Sequence, residues 1–340
     1  MIPMNKVKLA LIGLGKMGLS HLSIAGAHHE VQVVGACDTS AMVIDFLKKF
    51  TPFPCFDNYK KMIAEAKPEA VIVAVPTKYH FEIIEYLLQQ NIHIFCEKPF
   101  TLSHAESQKL TALAAANNLV NQVGYHNRFL GTFIEMSRLI QAGVLQELHH
   151  FTAESYGPVV TKPQQDTWRS NANEGGGCLY DYASHVIDLV NNSLGNISKV
   201  SGCLLKKIYS KNVEDAVYGL LQLESGLTGV LSVNWSDSTY RKMTTQITIE
   251  GANGKIIVDA TELKLFLKTP VKNEKYTVGW NIQTVGALQS PVDFYLRGEE
   301  YSAQFNYFIA AVKGLEPNTI NTFAQATHTD KAIQLMKQFN

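Results

Sequence analysis

The sequence predicts an α/β protein in which a doubly wound parallel sheet is followed by an α+β domain with a mostly antiparallel sheet. Strand-like and helix-like segments alternate through the first 125 residues, which is typical of parallel strands with crossover helices. From residue 200 to residue 278 the chain instead reads as consecutive strands joined by tight turns. A length of 340 residues exceeds one average domain, so we expect two domains, residues 1–125 and residues 126–340.

The first domain is predicted from the order and length of its apolar runs. The run at residues 70–75 is continuous rather than alternating, which is typical of a parallel strand covered on both faces. The predicted strands are residues 7–12, 31–37, 70–75, 92–96 and 119–124. The predicted helices are a segment between the first two strands and residues 41–50, 59–66, 79–89 and 103–117. Ligands of such sheets bind outside the carboxyl ends of the strands, so the residues in the loops that follow the strands are candidates for the binding site.

The second domain is predicted to combine a long series of strands with helices at both ends. Residues 227–234 alternate between apolar and more polar positions, which predicts a sheet with one packed face. The predicted elements are a helix at residues 133–142, a strand at 148–156, a helix at 179–191, strands through 200–278, and helices at 299–313 and 321–339.

Composition limits the possible classes of protein. An apolar content of 46% and a charged content of 18% are those of a globular protein with a hydrophobic core. The formal net charge is zero, so we expect no nucleic acid or anionic membrane partner. No apolar run approaches the roughly 20 residues of a membrane span, and no signal-peptide core is found, so the expected location is cytoplasmic. The five cysteines are scattered and form no C-x-x-C pair, which indicates reduced thiols and no metal site.

A glycine-rich turn follows the first predicted strand with the spacing G-x-G-x-x-G. Gly13 allows the turn, Gly15 lets the backbone approach a pyrophosphate, and Gly18 lets the helix pack closely on the strand. The helix N-terminus at Lys16 and Met17 supplies unpaired N–H groups and the positive end of the helix dipole. The strand before this turn and the helix after it predict dinucleotide binding.

Asp38 ends the second predicted strand, 20 residues after Gly18. An acid that hydrogen-bonds a ribose 2′-OH is expected at that distance. Its carboxylate repels a 2′-phosphate, and residues 39–41 include no arginine, so the sequence favours NAD over NADP. The alternative is a solvated aspartate that caps the next helix.

Lys98 stands between Glu97 and Pro99, at the carboxyl end of the strand predicted at residues 92–96. A cation in that place can bind a substrate oxygen and stabilise the negative charge of a developing alkoxide. The alternative is a surface lysine paired with Glu97.

Five further residues are candidates for cofactor contact. Pro76, Thr77 and His80 follow the strand at residues 70–75, with helix capping by Thr77 as the alternative role. Trp168 and Arg169 belong to a polar loop that either closes over nicotinamide and substrate or anchors itself to the protein.

The segment at residues 174–185 is the candidate source of acid–base chemistry. Its three glycines, at residues 175–177, are expected to let the backbone approach a ligand. Asp181 and His185 are four residues apart and share a face of the predicted helix. Histidine exchanges a proton near neutral pH, and a carboxylate one turn away can hold its ring. The alternative is an ordinary surface pair. Asp188, seven residues after Asp181, is a candidate second partner, although it is rather expected to be solvated or to cap the helix.

Taken together, these motifs resemble those of the glucose–fructose oxidoreductase / inositol dehydrogenase (Gfo/Idh/MocA) family. The resemblance extends over nearly the whole chain, and its Glu-Lys-Pro motif combined with a glycine-rich Asp…His helix is highly specific. The matching positions are Gly13–Gly18, Pro76-Thr77-x-x-His80, Glu97-Lys98-Pro99, Gly175-Gly176-Gly177 and Asp181-x-x-x-His185.

The resemblance implies an N-terminal Rossmann domain, a second domain with a large open sheet, and NAD(P)-dependent dehydrogenase activity on CH–OH groups of sugars or polyols. It maps the family's catalytic group onto Lys98, Asp181 and His185. Many members are dimers or tetramers formed through the open sheet face. The residues expected to contact substrate are Lys98, Tyr125, His126, Asn127, Arg128, Asp181 and His185. The residues expected to contact the cofactor are Gly13, Gly15, Lys16, Met17, Gly18, Asp38, Pro76, Thr77, His80, Glu97, Lys98, Trp168 and Arg169.

Two other functions are compatible with the same motifs. Some relatives keep their dinucleotide bound and cleave glycosidic bonds by transient oxidation, with the same lysine and histidine. A non-catalytic dinucleotide or sugar sensor is expected to lose part of the set Lys98, Asp181 and His185, whereas this chain has all three. No motif distinguishes a free sugar, an inositol or a nucleotide-linked sugar as the substrate.

Overall fold

A computed structural model describes residues 6–163 and 167–339 of the chain. The described chain divides into two compact units. The first contains the described residues of Met1–Gly124 together with Val292–Thr327. The second contains Tyr125–Pro291, apart from residues 164–166, together with the described residues of His328–Asn340.

Strands and helices alternate along the first 124 residues, as the sequence predicts. They are β1 (Val7–Ile12), α1 (Lys16–Ala27), β2 (Val31–Cys37), α2 (Ala41–Phe50), β3 (Cys55–Phe56), α3 (Tyr59–Ala66), β4 (Ala70–Val73), α4 (His80–Gln89), β5 (His93–Cys96), α5 (His104–Ala116) and β6 (Asn121–Val123). A 3-10 turn, Thr77–Tyr79, leads into α4.

After residue 124 the strands follow one another with few helices between them. The elements are α6 (Gly131–Gln141), β7 (Leu148–Tyr156), α7 (Ser184–Ser193), β8 (Ile197–Lys206), β9 (Ala216–Leu223), β10 (Thr228–Asn234), β11 (Thr244–Gly251), β12 (Gly254–Asp259), β13 (Glu262–Leu267), β14 (Gly279–Thr284), α8 (Val285–Leu288), α9 (Glu299–Val312) and α10 (Phe323–Lys337). None of the helices in residues 6–163 and 167–339 is long and apolar enough to cross a membrane.

The sheet of the first unit is parallel and has the strand order β3-β2-β1-β4-β5-β6. β1 pairs with β2 on one side and with β4 on the other, so the direction of winding reverses beside it. In doubly wound sheets the ligand crevice lies at such a reversal, outside the carboxyl ends of the strands. The predicted parallel sheet is confirmed, and its topology directs attention to the loops after β1 and β4.

The predicted division after residue 125 differs from the compact units in one long segment. Residues 292–327, which the sequence assigned to the second domain, pack with the first unit. The reason is the apolar side of α9, because its Phe305, Phe308 and Ile309 are fully buried in one cluster with Leu9 of β1 and Phe95 of β5.

The sheet of the second unit has eight strands in the order β14-β13-β12-β11-β7-β10-β9-β8. β7 lies inside this sheet, antiparallel to β11 and parallel to β10, and the remaining neighbours are antiparallel. Phe151 of β7 packs over Gly229 of β10, where a Cβ atom would lie 2.4 Å from its ring. Because every neighbouring pair of strands except β7 with β10 is antiparallel, the predicted mostly antiparallel sheet is confirmed.

One face of the second sheet carries the hydrophobic core and the other face is open. Side chains on the inner face, such as Ile247, Ile249 and Leu265, are fully buried, and α6 and α7 contact this sheet. The neighbouring positions along the strands, such as Thr248 and Lys264, remain partly exposed. The alternation predicted from the sequence is thus the difference between these two faces.

Candidate active site

The glycine turn after β1 has the geometry that its spacing predicts. Gly13 has a φ of +89°, and a Cβ atom on Gly18 would lie only 1.9 Å from the Gly13 carbonyl oxygen. Gly15 differs, because a Cβ atom there would meet nothing within 4 Å. Gly13 and Gly18 are therefore needed by the turn itself, whereas Gly15 leaves open space in front of the backbone.

Helix α1 begins directly beyond this open space. Its N-cap is Gly15, which provides no side-chain hydrogen bond, and the first turn contains no acidic residue. Gly15 and Lys16 are exposed, and Met17 is half-buried. Unpaired N–H groups at an exposed helix N-terminus form an anion site, so these residues fit the pyrophosphate of a dinucleotide.

Asp38 lies beside this turn, at the end of β2. Its Oδ2 accepts a hydrogen bond from the Leu14 N–H (2.6 Å), and its Oδ1 accepts one from the Ser40 N–H (2.8 Å). The half-exposed carboxylate thus ties the glycine turn to Ser40, and it is Ser40, not Asp38 as in the capping alternative, that stands at the N-cap of α2. Each carboxylate oxygen has two lone pairs, so these contacts leave acceptor capacity for ribose hydroxyl groups.

Lys98 follows β5 and is half-buried, whereas the Glu97 side chain before it is buried. Glu97 Oε1 lies 2.6 Å from His21 Nε2, and Glu97 Oε2 accepts the Lys98 N–H at 3.2 Å. A Cβ atom on Gly124 would lie 3.2 Å from both carboxylate oxygens. The sequence did not single out His21 or Gly124, although His21 lies one turn after Gly18 on the buried side of α1.

His80 is buried between two loops at this edge of the sheet. Its Nε2 lies 2.9 Å from the Val75 carbonyl oxygen, and its Nδ1 lies 3.0 Å from that of Phe100 and 3.3 Å from Cys96 Sγ. Burial lowers the pKa of His80 below its ordinary value. The ring therefore joins the loop after β4 to the loop that contains Lys98, and cofactor contact by His80 stays a prediction.

Pro76 and Thr77 begin the loop that His80 closes. Pro76 is exposed and Thr77 is buried in the 3-10 turn. Their cofactor contact likewise stays a prediction, with Pro76 the more accessible of the two.

In the second unit, Asp181 lies on a π-helical turn, Leu179–Ala183, that runs directly into α7. The sequence predicted a regular helix here. Turns of this kind inside helices occur frequently at functional sites. The Asp181 carboxylate accepts a hydrogen bond from Arg169 Nε at 3.1 Å, and the Arg169 guanidinium lies 4.4 Å from the centre of the Trp168 ring. The loop residues Trp168 and Arg169 are therefore anchored on Asp181 in this unit.

The glycines before this turn have another role than the one predicted. A Cβ atom on Gly177 would lie 2.4 Å from Glu214 Oε1, and one on Gly176 would lie 2.3 Å from the Arg169 carbonyl oxygen. Glu214 Oε1 also accepts the Leu179 N–H at 2.8 Å. Gly176 and Gly177 thus make room for the protein's own groups, where the sequence predicted close approach of a ligand.

His185 lies on α7 and is buried, with only 3% of its surface exposed. The ring of His126 lies 5.1 Å from it and the ring of Tyr125 lies 6.1 Å from it, both in edge-on orientation. His126 is half-buried, whereas Tyr125 and Asn127 are buried. The structure therefore brings two of the predicted site residues, Tyr125 and His126, together around the imidazole of His185.

Arg128 and Asp188 have roles in the structure that the sequence did not predict. The two side chains form a buried ion pair with N–O distances of 2.6 and 2.8 Å. Asp188 was expected to be solvated or to cap the helix, and that prediction is wrong because the aspartate faces the interior. The Arg128 guanidinium is held inside the protein, and its contact with substrate stays a prediction.

No metal centre is evident in the described ranges, where no three His, Cys, Asp or Glu side chains cluster as possible ligands. The five cysteines are free thiols. Burial raises the pKa of the Cys178 thiol well above its ordinary value, so it is not disposed to ionise.

Comparison with family models identifies two matching regions. Residues 7–125 match the model described as oxidoreductase family, NAD-binding Rossmann fold. Residues 133–257 match the model of the GFO/IDH/MocA C-terminal domain. The first region contains the glycine turn, Asp38 and Lys98, and the second contains Asp181 and His185.

Individual relatives agree with these matches. The inositol 2-dehydrogenase of Rhizobium meliloti is 24% identical over 340 residues, which cover 96% of each chain. An uncharacterized oxidoreductase of Schizosaccharomyces pombe is 28% identical over 218 residues, 62% of this chain, and the match spans 58% of that relative's length. Levoglucosan dehydrogenase in complex with NADH superposes with a TM-score of 0.85 at 18% identity, covering 98% of this chain and 97% of that one, and so has the same fold.

Proposed function

Because the chain belongs to the Gfo/Idh/MocA family of oxidoreductases, we propose that it is an NAD-dependent dehydrogenase of sugars or polyols. It would transfer hydride between nicotinamide and a secondary alcohol or ketone of a sugar, polyol or nucleotide-linked sugar. The observation that best supports this is that α1 begins beside Asp38 at an exposed N-terminus that no side chain caps. Lys98 follows β5, which is the second strand from β1, at the same edge of the sheet. The names of the inositol and levoglucosan dehydrogenases support the substrate class.

The proposed cofactor site is built mainly from the loops at the edge of the first sheet. The turn at Gly13–Gly18 and the N–H groups at Lys16 and Met17 hold the pyrophosphate, and Asp38 binds the adenosine ribose. Nicotinamide, when bound, provides the acceptor or donor of hydride. The carboxylate of Asp38 disfavours a 2′-phosphate, so NAD is preferred over NADP. Further contacts to the dinucleotide are proposed for Pro76, Thr77, His80, Glu97, Trp168 and Arg169.

The proposed acid–base group consists of Lys98, Asp181 and His185. Lys98 donates a hydrogen bond to the reacting oxygen and stabilises negative charge on it. His185 accepts the hydroxyl proton while the C–H bond breaks, its electron pair leaves as hydride, and the C–O bond becomes a carbonyl. Asp181, held by Arg169, orients His185 or binds a neighbouring hydroxyl group. Acid–base assistance of this kind contributes about 10²–10⁴-fold to the rate.

Replacement of these residues tests the assignment. Purified protein is mixed with NAD and a panel of sugars, polyols and nucleotide sugars, and NADH is followed by its absorbance. With the best substrate, Lys98→Met and His185→Gln are each expected to lower kcat by at least about 100-fold. The matched controls are Lys109→Met and His328→Gln, which lie on α5 and α10 and should keep the parental rate. Near-full turnover by either site variant would reject its assigned role.

The same assay separates the two alternative functions. Cofactor that remains bound through purification, with cleavage of glycosides but no net NADH, would replace the proposal by glycosidic cleavage through transient oxidation. Dinucleotide binding without turnover of any compound in the panel would favour a sensor.

We further propose a cytoplasmic homodimer or homotetramer formed through the open face of the second sheet. Large apolar side chains on that face are exposed at both ends of the sheet. They include Leu204 (60% exposed), Leu220 (55%), Trp280 (55%) and Ile282 (57%). An apolar surface of this kind on a soluble protein often marks a protein interface. The five free cysteines also agree with a reducing compartment such as the proposed cytoplasmic location.

A further inference from the structure

A buried ion pair in the second unit connects the helix of His185 to the turn of His126. Arg128 Nε donates to Asp188 Oδ2 at 2.8 Å, and Arg128 Nη2 donates to Asp188 Oδ1 at 2.6 Å. Arg128 Nη1 donates to Asn192 Oδ1 at 3.0 Å. Only 3% of the Arg128 side chain and 1% of the Asp188 side chain are exposed.

The location of this pair relates it to the predicted proton acceptor. Asp188 lies three residues after His185 on α7, which places both on neighbouring positions of one helix face. Arg128 belongs to the 3-10 turn His126–Phe129. The rings at the start of this turn, those of Tyr125 and His126, are the ones that lie edge-on to His185. The hydrogen bonds from Arg128 to Asp188 and Asn192 therefore join this turn to α7, one and two turns beyond His185.

A buried ion pair is not the arrangement that maximises stability. Removing two charges from water costs free energy, and apolar pairs of similar volume are often equally or more stabilising. An arginine–carboxylate pair with two parallel hydrogen bonds does provide a defined distance and angle between its two backbone segments. Apolar side chains in the same space provide contact without that angular definition. The chemistry of the pair thus indicates a geometric role.

We propose that Arg128 and Asp188 are positioning residues for His185. Their paired hydrogen bonds hold the turn of Tyr125 and His126 against α7, so that these two rings keep the His185 imidazole in one orientation. The proposal rests on the proposed function, in which His185 accepts the substrate proton. It assigns to Arg128 a role through His185 in place of direct substrate contact.

Single and double substitutions distinguish positioning from a merely structural role. Arg128→Met and Asp188→Leu each leave one buried charge without its counterpart, so each should lower Tm by about 5–10 °C. The double variant Arg128→Met/Asp188→Leu contains no buried charge and should recover most of that loss. Its kcat should nevertheless stay about 10–100-fold below the parental value, because small displacements of catalytic groups have effects of that size. Its Kd for NAD should be unchanged.

The control variant is Arg138→Met in the same unit. Arg138 forms comparable forked pairs with Glu135 and Glu274, but these lie on and beside α6, and the Arg138 side chain is 45% exposed. This variant should keep the parental kcat. Recovery of both Tm and kcat by the double variant would overturn the proposal, because the pair would then be structural only.

A second readout does not depend on turnover. The ring signals of His185 are measured by NMR and assigned by their loss in His185→Gln. They should shift and broaden in the double variant and remain unchanged in Arg138→Met. Unchanged His185 signals in the double variant would overturn the positioning proposal whether or not a substrate is known. Absence of any dehydrogenase activity, with shifted His185 signals, would instead reject the proposed function alone.

Discussion

His21 Nε2 lies 2.6 Å from Glu97 Oε1, and both side chains are buried in the first unit. His21 belongs to α1, which begins at the glycine turn, and Glu97 follows β5. The second oxygen of Glu97 accepts the N–H of Lys98 at 3.2 Å. The pair therefore connects the proposed pyrophosphate-binding helix with the residue proposed to bind the substrate oxygen.

Replacement of His21 should affect Lys98 through this connection. In His21→Gln the buried Glu97 carboxylate loses a close partner, which should lower the free energy of unfolding by about 1–3 kcal/mol. We expect kcat with the best substrate to fall by about 10-fold as the backbone of Lys98 shifts. Unfolding by denaturant and steady-state kinetics measure the two effects. His29→Gln, at an exposed position beyond the end of α1, should change neither, and an unaltered kcat in His21→Gln would contradict the expectation.

Asp38 should determine the preference for NAD over NADP. Asp38→Asn removes the charge that opposes a 2′-phosphate, so the ratio of NADP to NAD dissociation constants should fall. Asp38→Ala also removes the hydrogen bond from the Leu14 N–H, and it should weaken NAD binding by about 10–100-fold. Titration calorimetry with both dinucleotides measures these constants. Asp45→Asn, exposed on α2, is the control, and equal affinities in the parental protein would refute the argument from Asp38.

Asp215 should make the second unit more stable at neutral pH than in acid. Burial raises the pKa of its carboxyl, but hydrogen bonds from Ser210 Oγ and N–H and from Trp235 Nε1 outweigh that effect and hold it below the ordinary value. A depressed folded-state pKa adds stability above the unfolded pKa of about 3.9, and this contribution is lost as the pH falls through the folded pKa. Asp215→Asn should therefore be less stable at pH 7 by about 2 kcal/mol, with a smaller difference in acid.

Thermal unfolding at a series of pH values, followed by tryptophan emission, measures this dependence. Asp237→Asn is a matched control. Hydrogen bonds from Thr239 also lower the pKa of Asp237, but its carboxylate is fully exposed. Its loss should change stability much less. A constant difference between Asp215→Asn and the parental protein from pH 7 to acid would show that the carboxylate charge is not the stabilising feature.

The open face of the second sheet should hold the proposed oligomer together. Leu220→Lys places a charge on the open face of the sheet, within β9. It should convert the oligomer to monomers, because burying an unpaired charge in an interface is costly. Light scattering after gel filtration measures the mass. Met42→Lys, on the exposed side of α2 in the first unit, should leave the mass unchanged. A parental protein that is monomeric at micromolar concentration would remove the basis of this proposal.

Local patterns predicted the elements of both sheets well. The strand predicted at residues 7–12 is β1, the helix at residues 41–50 is α2, and the strand at residues 148–156 is β7. Each depends on side chains that are neighbours along the chain. The π-helical turn Leu179–Ala183 was not predicted, because the spacing of Asp181 and His185 is equally compatible with a regular helix.

Other features depended on residues that are distant in sequence. Gly176 and Gly177 were interpreted as an approach for a ligand, whereas the Arg169 carbonyl and Glu214 fill the space. The helix α9 was predicted from its sequence pattern, but nothing in that pattern shows that its Phe308 packs against Phe95 of β5. Such partners are selected by how segments meet in space.

The sequence alone predicted the dinucleotide turn and the family of the chain, and both are confirmed, whereas the preference for NAD expected from Asp38 stays a prediction. The turn could be predicted because Gly13 and Gly18 lie in one short segment, where the spacing of the residues by itself determines that they meet. Pairings such as His21 with Glu97 and Arg128 with Asp188 became visible only in the folded chain. The partners are 76 and 60 residues apart, and their hydrogen bonds form only where packing of the sheets and helices has excluded water.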